Sequence, residues 1–289
     1  MSDENAQLKK KVHFLEAELH SKNSELMIYR QELLKISQRL DSLMSQISSD
    51  TKILSQVQKT LIPTEIPTIP GFEISRKFVY GSKQGGDYFD IFEHADKFKF
   101  GILVASSSGY AMSSLFMSLI LKVSHVLEAK KGNPPDKILQ QIADDIKKLA
   151  KEGDQTSTFY AVIDRRDFSL DFCSAGGIEG FYLSSSKPVQ MLKSSNSAFS
   201  AQFNEKLSLA KLELEPKSRI VVMTEGLSKV FAKDELIKIM TDNAKNGVHD
   251  LRNELLFQAQ RKTKSEEPER DQTVVIIEVK EKVIKLAKS

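Results

Sequence analysis

The sequence predicts an α+β sandwich of largely antiparallel sheets, preceded by one long coiled-coil helix. Three observations carry that prediction. The first sixty residues place apolar side chains at alternating spacings of three and four, with neither Gly nor Pro among them. A proline-rich break follows. Beyond it, short strands cluster around helical pairs instead of alternating with helices one for one.

The helical stretch comes first. Val12, Leu19, Leu26, Leu33, Leu40, Ile47, Leu54 and Leu61 share one heptad position. Its companion holds Leu8, Leu15, Lys22, Tyr29, Ile36, Leu43, Asp50 and Val57. A helix of this length would span roughly 80 Å, and alone it would expose a row of leucines to water. A homodimer through a parallel coiled coil removes that cost, with Lys11 facing Glu16, and Glu25 facing Arg30, across the seam. Folding back on its own domain is the alternative. Lys22 and Asp50 at seam positions weaken the coil and set register. Pro63, Pro67 and Pro70-Gly71 then end the helix, because proline lacks the amide hydrogen and clashes with the preceding turn.

The remaining elements are read from period and punctuation. Strands are expected at 72–80, 88–93 and 98–104, then helices at 110–130 and 135–150 separated by Asn133-Pro134-Pro135. Strands at 156–163, 168–173, 180–183, 207–214 and 220–223 follow. Helices at 233–243 and 248–262 precede a last strand at 273–279. The domain boundaries expected are 1–62 for the helix, 63–280 for the sandwich and 281–289 for a basic tail.

Composition excludes several classes. Apolar residues make up 40% and charged residues 28%, an ordinary globular balance. Lys plus Arg number 42 against 39 Asp plus Glu, so the net charge of +3 does not point to nucleic acid. Cys173 is the single cysteine, which removes an internal disulfide and a cysteine zinc site. No stretch reads as a membrane span, since Lys122 and His125 interrupt the most apolar one. The start lacks a signal peptide's apolar core, and the expected location is the cytoplasm.

The chemistry rests on carboxylates. The five histidines are scattered without metal-binding spacing, and no P-loop or dinucleotide fingerprint is present. Ser106-Ser107-Ser108-Gly109 lacks the upstream glycine of a nucleophile elbow. Asp87 follows Gly85-Gly86 and opens a strand, Glu225 ends one before Gly226, and Asp271 opens the last. Acids at strand mouths suit Mg²⁺ or Mn²⁺. Acids beside glycine are equally ordinary turn residues.

The surrounding words resemble a family. Gln58 to Pro63, Ile69 to Ile74 and Gly85-Gly86-Asp87-Tyr88-Phe89-Asp90 resemble the opening of SpoIIE/RsbU-type metal-dependent protein phosphatases of the PPM superfamily. Val104 to Ala111 stands where that family has VADVSGHG. Thr158 to Asp164, Ser174 to Gly177, Ile220 to Ser228 and Asp271-Gln272-Thr273 continue the likeness in order. The resemblance implies an αββα sandwich, and dimerising helical linkers of the kind that receive upstream signals. In the family, acids from four motifs hold two divalent cations that activate water.

The same resemblance exposes departures. Asp87 and Asp271 match the first and last metal-ligand motifs, and Glu225 replaces an Asp. Ser106 stands where the family has the aspartate bridging both metals, beside Ser107. Tyr110 and Ala111 replace a His and a Gly, and Gly177 replaces a second His. Two divalent ions repel, and a serine hydroxyl supplies no anion to hold them together. Glu225 projects its charge roughly 1.5 Å further than Asp, against Mg²⁺ distances of about 2.0–2.1 Å. Asp90 is the conceivable accessory ligand. The expectation is a pseudophosphatase of bacterial signalling, binding no cation or binding it weakly and acting through partner contacts. The alternative is an active Mn²⁺- or Mg²⁺-dependent phosphoserine/phosphothreonine phosphatase on a protein of the anti-sigma-factor antagonist type.

Overall fold

The computed structural model describes residues 2–82, 86–108, 117–118, 121–122, 132–193 and 196–280. Tyr110 and Ala111, most of the helix expected at 110–130 and the tail 281–289 lie outside the described residues. The chain divides into two compact units, Met1–Ile53 and Leu54–Ser289.

Helix α1 runs from Ser2–Leu61 and stops two residues before Pro63. Over residues 9–46 every side chain is exposed, including the seam residues Val12, Leu15, Leu19, Leu26, Tyr29, Leu33, Ile36, Leu40 and Leu43. Lys22 at the seam donates to Glu25 of its own helix at 2.9 Å. No helix among the described residues is long and apolar enough to cross a membrane.

The second unit is two five-stranded antiparallel sheets. Their strands are β1 (Phe72–Val79), β2 (Gly86–Glu93), β3 (Lys99–Ser108), β4 (Gln155–Asp164), β5 (Ser169–Ala175), β6 (Glu179–Leu183), β7 (Gln190–Leu192), β8 (Ala210–Glu213), β9 (Arg219–Met223) and β10 (Gln272–Val279). One sheet has the order β1-β10-β9-β6-β7 and the other β2-β3-β4-β5-β8. Further helices whose full span lies among the described residues are α2 (Pro135–Leu149), α3 (Glu225–Ser228), α4 (Lys233–Asp242) and α5 (Val248–Thr263).

Period-two alternation assigns the faces. Phe89 and Ile91 on β2, Ile102 and Val104 on β3, Phe159 and Ala161 on β4, and Val222, Val275 and Ile277 on β9 and β10 join one cluster between the sheets. The intervening residues point outward. Tyr88, Leu103, Tyr160 and Cys173 pack with Ile138, Leu139, Ile142 and Ile146 of α2. Val221, Met223, Val274 and Ile276 pack with Leu236 and Met240 of α4 and with Leu251 and Leu255 of α5. The described chain is therefore layered α–β–β–α, as the sequence predicts. Each fully buried large side chain contributes about 1.5–3 kcal/mol, so this three-layer core dominates the stability.

Four details differ from the sequence reading. Strand β3 runs on through Ser106 to Ser108 because its backbone stays paired with both β2 and β4. β7 was not anticipated, and β8 is shorter than the run 207–214. Glu225 does not end a strand but opens the turn of helix α3.

Candidate functional site

At one end of the inner layer, the apolar columns terminate in polar residues. Continuing the inward-facing alternation, β2 ends in Asp87, β3 in Ser106 and β4 in Ser157, and these three lie side by side in register. From the opposite sheet come Thr224, directly after β9, and Thr273 on β10. The strands are too apolar for this to be a solvated rim. Asp87 is 2% exposed, Thr224 and Thr273 are fully buried, and Asp271 is 3% exposed.

Burying a carboxylate without partners is expensive, so its neighbours decide its state. The Thr224 hydroxyl donates to Asp87 Oδ2 at 2.7 Å and the Thr273 hydroxyl donates to the same oxygen at 2.9 Å. Ser106, opposite Asp87 in the β2–β3 register, is a third hydroxyl facing the carboxylate. Thr273 N–H donates in turn to Thr224 Oγ1 at 3.0 Å, and Thr224 N–H to the Thr273 carbonyl at 3.0 Å. Burial pushes the Asp87 carboxyl up to about 7, with Asp271 adding to the rise and the three hydroxyls opposing it.

Asp271 is anchored from its own side. Its Oδ1 accepts the Gly81 N–H at 2.9 Å. Gly226 packs so closely on the Asp271 carbonyl that a side chain there has no room. Tyr80 feels the same acid, since burial raises its phenol and Asp271 raises it further.

Glu225 is held elsewhere. Its carboxylate pairs with Lys229 one helical turn on, and Ser157 Oγ donates to its other oxygen at 3.4 Å. The side chain lies across Gly177, where a Cβ would collide with Glu225 Oε1, Cδ and Cγ. Gly177 N–H donates to Ser157 Oγ at 3.0 Å, and Gly176, at φ +76°, passes close over that serine where a Cβ would clash.

The structure therefore brings Asp87, Ser106, Asp271, Glu225 and Gly177 to one end of the sandwich. It separates two residues singled out in the sequence. Ser107 turns to the outer face, where its hydroxyl meets Thr156 Oγ1 at 3.0 Å. Asp90 also sits on the outer face, accepting from Tyr88 Oη at 3.1 Å, with its carboxyl raised by burial. It shares that face with Tyr88 and Phe92, away from Asp87. Residues missed by sequence reasoning are Ser157, Thr224, Thr273 and Lys229. Both threonines were visible as neighbours of the chosen acids, but only the paired strand ends show that they aim at Asp87.

The donor set does not fit a two-cation centre. Such a centre needs several carboxylates converging on shared ions, with the bridging one central. Here the residue beside Asp87 is a neutral hydroxyl, Asp87 accepts from two threonine hydroxyls, and Glu225 is paired with an ammonium. Among the described residues no three His, Cys, Asp or Glu side chains are grouped so as to hold a metal ion.

Comparison with known proteins agrees with the architecture. Residues 96–280 match the family described as Stage II sporulation protein E (SpoIIE). That span contains Ser106, Gly177, Glu225 and Asp271, and Asp87 lies just before it. Two similar relatives from Bacillus subtilis (strain 168) are phosphoserine phosphatase RsbU, 24% identical over 51% of this chain and 43% of the relative, and phosphoserine phosphatase RsbP, 18% identical over 80% and 58%. The chain thus spans about half the length of these curated relatives. Among solved structures, the SiaA-PP2C domain of Pseudomonas aeruginosa superposes with a TM-score of 0.65 at 18% identity, covering 82% of this chain and 97% of that one. With a matching family span of well over half its residues, the chain belongs to the family described as Stage II sporulation protein E (SpoIIE), and its fold is that of the SiaA-PP2C domain.

Proposed function

We propose that this chain is a pseudophosphatase: a signalling protein that keeps the phosphatase fold, does not carry two-metal catalysis, and acts by binding partners. One observation carries the reading. Ser106, which by the resemblance stands in for the family's bridging aspartate, lies in register beside Asp87, and the Asp87 carboxylate accepts hydrogen bonds from Thr224 and Thr273. Loss of a second-shell partner alone costs metal sites roughly 10–100-fold in affinity or activity, and loss of the shared anion costs more. Self-association through the exposed seam of α1 supplies the second half of the function. The partner class is a phosphoserine-bearing protein of the anti-sigma-factor antagonist type, in keeping with the phosphoserine phosphatases that the chain resembles.

A second reading keeps weak catalysis, with Mn²⁺ or Mg²⁺ as cofactor. It is favoured by the proximity of two buried acids, since Asp271 raises the Asp87 carboxyl. Calorimetric titration with Mn²⁺ and a phosphoryl-ester assay separate the two. The pseudophosphatase reading expects no two-ion stoichiometry at millimolar Mn²⁺ and no turnover that Asp87→Ala removes. It also expects Ser106→Asp to raise Mn²⁺ affinity at least ~10-fold by restoring the anion. Turnover at an enzyme-like rate that Asp87→Ala abolishes replaces the first reading with the second.

A further inference from the structure

The segment between α1 and β1, residues 62–70, is bound to the sandwich in an unusual way. Ile62 and Ile66 pack against the inter-sheet cluster, and Ile69, 2% exposed, belongs to it. Pro63 and Pro67 within the segment, and Pro70 at its end, donate no amide hydrogen, so those positions cannot bond to a strand edge. The two strands on this side, β1 and β2, are both sheet edges. Among the described residues the segment's side-chain polar attachment is Arg76, whose Nη2 donates to the Thr64 carbonyl at 2.6 Å, and at its end the Phe72 N–H donates to the Ile69 carbonyl at 3.1 Å.

Arg76 is itself out of place. On β1 the inward-facing positions are Phe72, Ile74, Arg76 and Phe78, three of them packed in or against the central apolar cluster. Its guanidinium lies over the Phe89 ring of β2, 5.4 Å from the centroid, and its Nε is buried with no hydrogen-bond partner. Its own carbonyl is fixed from the other side by Arg252 Nη1 of α5 at 3.1 Å. A cation in this position depends on the Thr64 carbonyl and the aromatic face. If 62–70 lifts, the guanidinium loses its acceptor and must turn to water, which uncovers Phe89. Phe89 is two residues from Asp87 on the same face of the same strand.

We propose that residues 62–70 are a releasable strap latched by Arg76, and that its seating holds β2, and with it Asp87, in place. The strap follows Leu61, the last residue of α1, directly, so movement of that helix end bears on the latch. The device is independent of whether the site around Asp87 takes a cation.

Hydrogen exchange of the full chain, read by mass spectrometry, tests it. Arg76→Met keeps apolar bulk over Phe89 but removes the bond, whereas Ile66→Ser loosens the strap with Arg76 intact. Both are expected to accelerate exchange in 62–70 and 86–93 by roughly ten- to hundredfold, the worth of a charge-assisted bond, while 219–223 and 248–263 keep their rates. Acceleration confined to 62–70 would make the segment a mere tether and overturn the proposal. So would a uniform increase across the domain, or unchanged exchange throughout.

Discussion

A Cβ on Gly177 would fall inside the Glu225 side chain, so these two positions constrain each other. The longer acid at 225 reaches across the strand end because nothing stands at 177, and Lys229 then fixes it by an ion pair. Such an exposed helical pair is worth only a few tenths of a kcal/mol, so the contact with Gly177 is the stronger constraint. Gly177→Ala is expected to destabilise the fold by about 1–2 kcal/mol through overpacking, with the lower value set by how freely Glu225 turns to solvent. Combined with Glu225→Ala the cost should largely disappear. Urea denaturation of both single variants and the double variant measures this coupling, and simple additivity would show that the two side chains do not compete. At this scale the sequence was readable by type but not by posture. Asp87, Asp271, Glu225 and Ser106 were named from their positions. The threonine hydroxyls on Asp87 and the ammonium on Glu225 were not, because a hydrogen bond between residues 137 or 186 apart in sequence leaves no local pattern.

Among the elements, the strands were legible wherever apolar and polar residues alternate, and least so where polarity mimics a loop. The strand was expected to end at Val104, yet Ser106 to Ser108 finish β3 because pairing with β4, and for Ser106 and Ser107 also with β2, satisfies their backbone. β7 has only three residues, too few for a period to emerge. Helix α1 is the opposite case, since its repeat is long enough to identify both the helix and the seam. Its seam leucines are exposed, from Leu43 at 48% to Leu33 at 66%, an arrangement that a partner helix would relieve. The double substitution Leu26→Lys and Leu33→Lys places like charges in that seam. Sedimentation equilibrium is expected to shift the full chain from a dimer to a monomer while circular dichroism of the sandwich strands is retained. An unchanged mass would place self-association elsewhere or nowhere.

For the whole molecule, pH reports on the buried groups together. His94 is 8% exposed, stacks on Phe92 at 5.2 Å between centroids and approaches Tyr160 Oη at 3.4 Å. Burial lowers its imidazole to about 4, with Lys99 adding to the fall and Asp96 opposing it. Between about pH 6.5, the ordinary value, and pH 4 the unfolded chain binds a proton that the folded chain refuses. Stability from this group is therefore complete above pH 6.5 and lost as pH falls towards 4. Asp87 acts with the opposite sign, because its raised carboxyl favours the fold below about 3.8 and loses that advantage as pH rises through about 7. Denaturant midpoints of the parent and of His94→Gln, compared from pH 7.5 to 4.5, should converge towards acid. A constant difference would mean that His94 is charged in the fold.

The sequence alone determined the broad plan of this protein: a heptad helix ended by prolines, then alternating strands whose inward and outward faces build three apolar layers. Those follow from periodicities and breaks that are local along the chain. Only the tertiary structure decided what surrounds Asp87. Whether an aspartate serves as a ligand or is engaged by hydroxyls depends on which strand ends meet, and that juxtaposition is made by pairing across the sheets. The physical reason is range: backbone preference acts over a few residues, whereas desolvation and hydrogen bonding at Asp87 are set by neighbours that only folding brings within 3 Å.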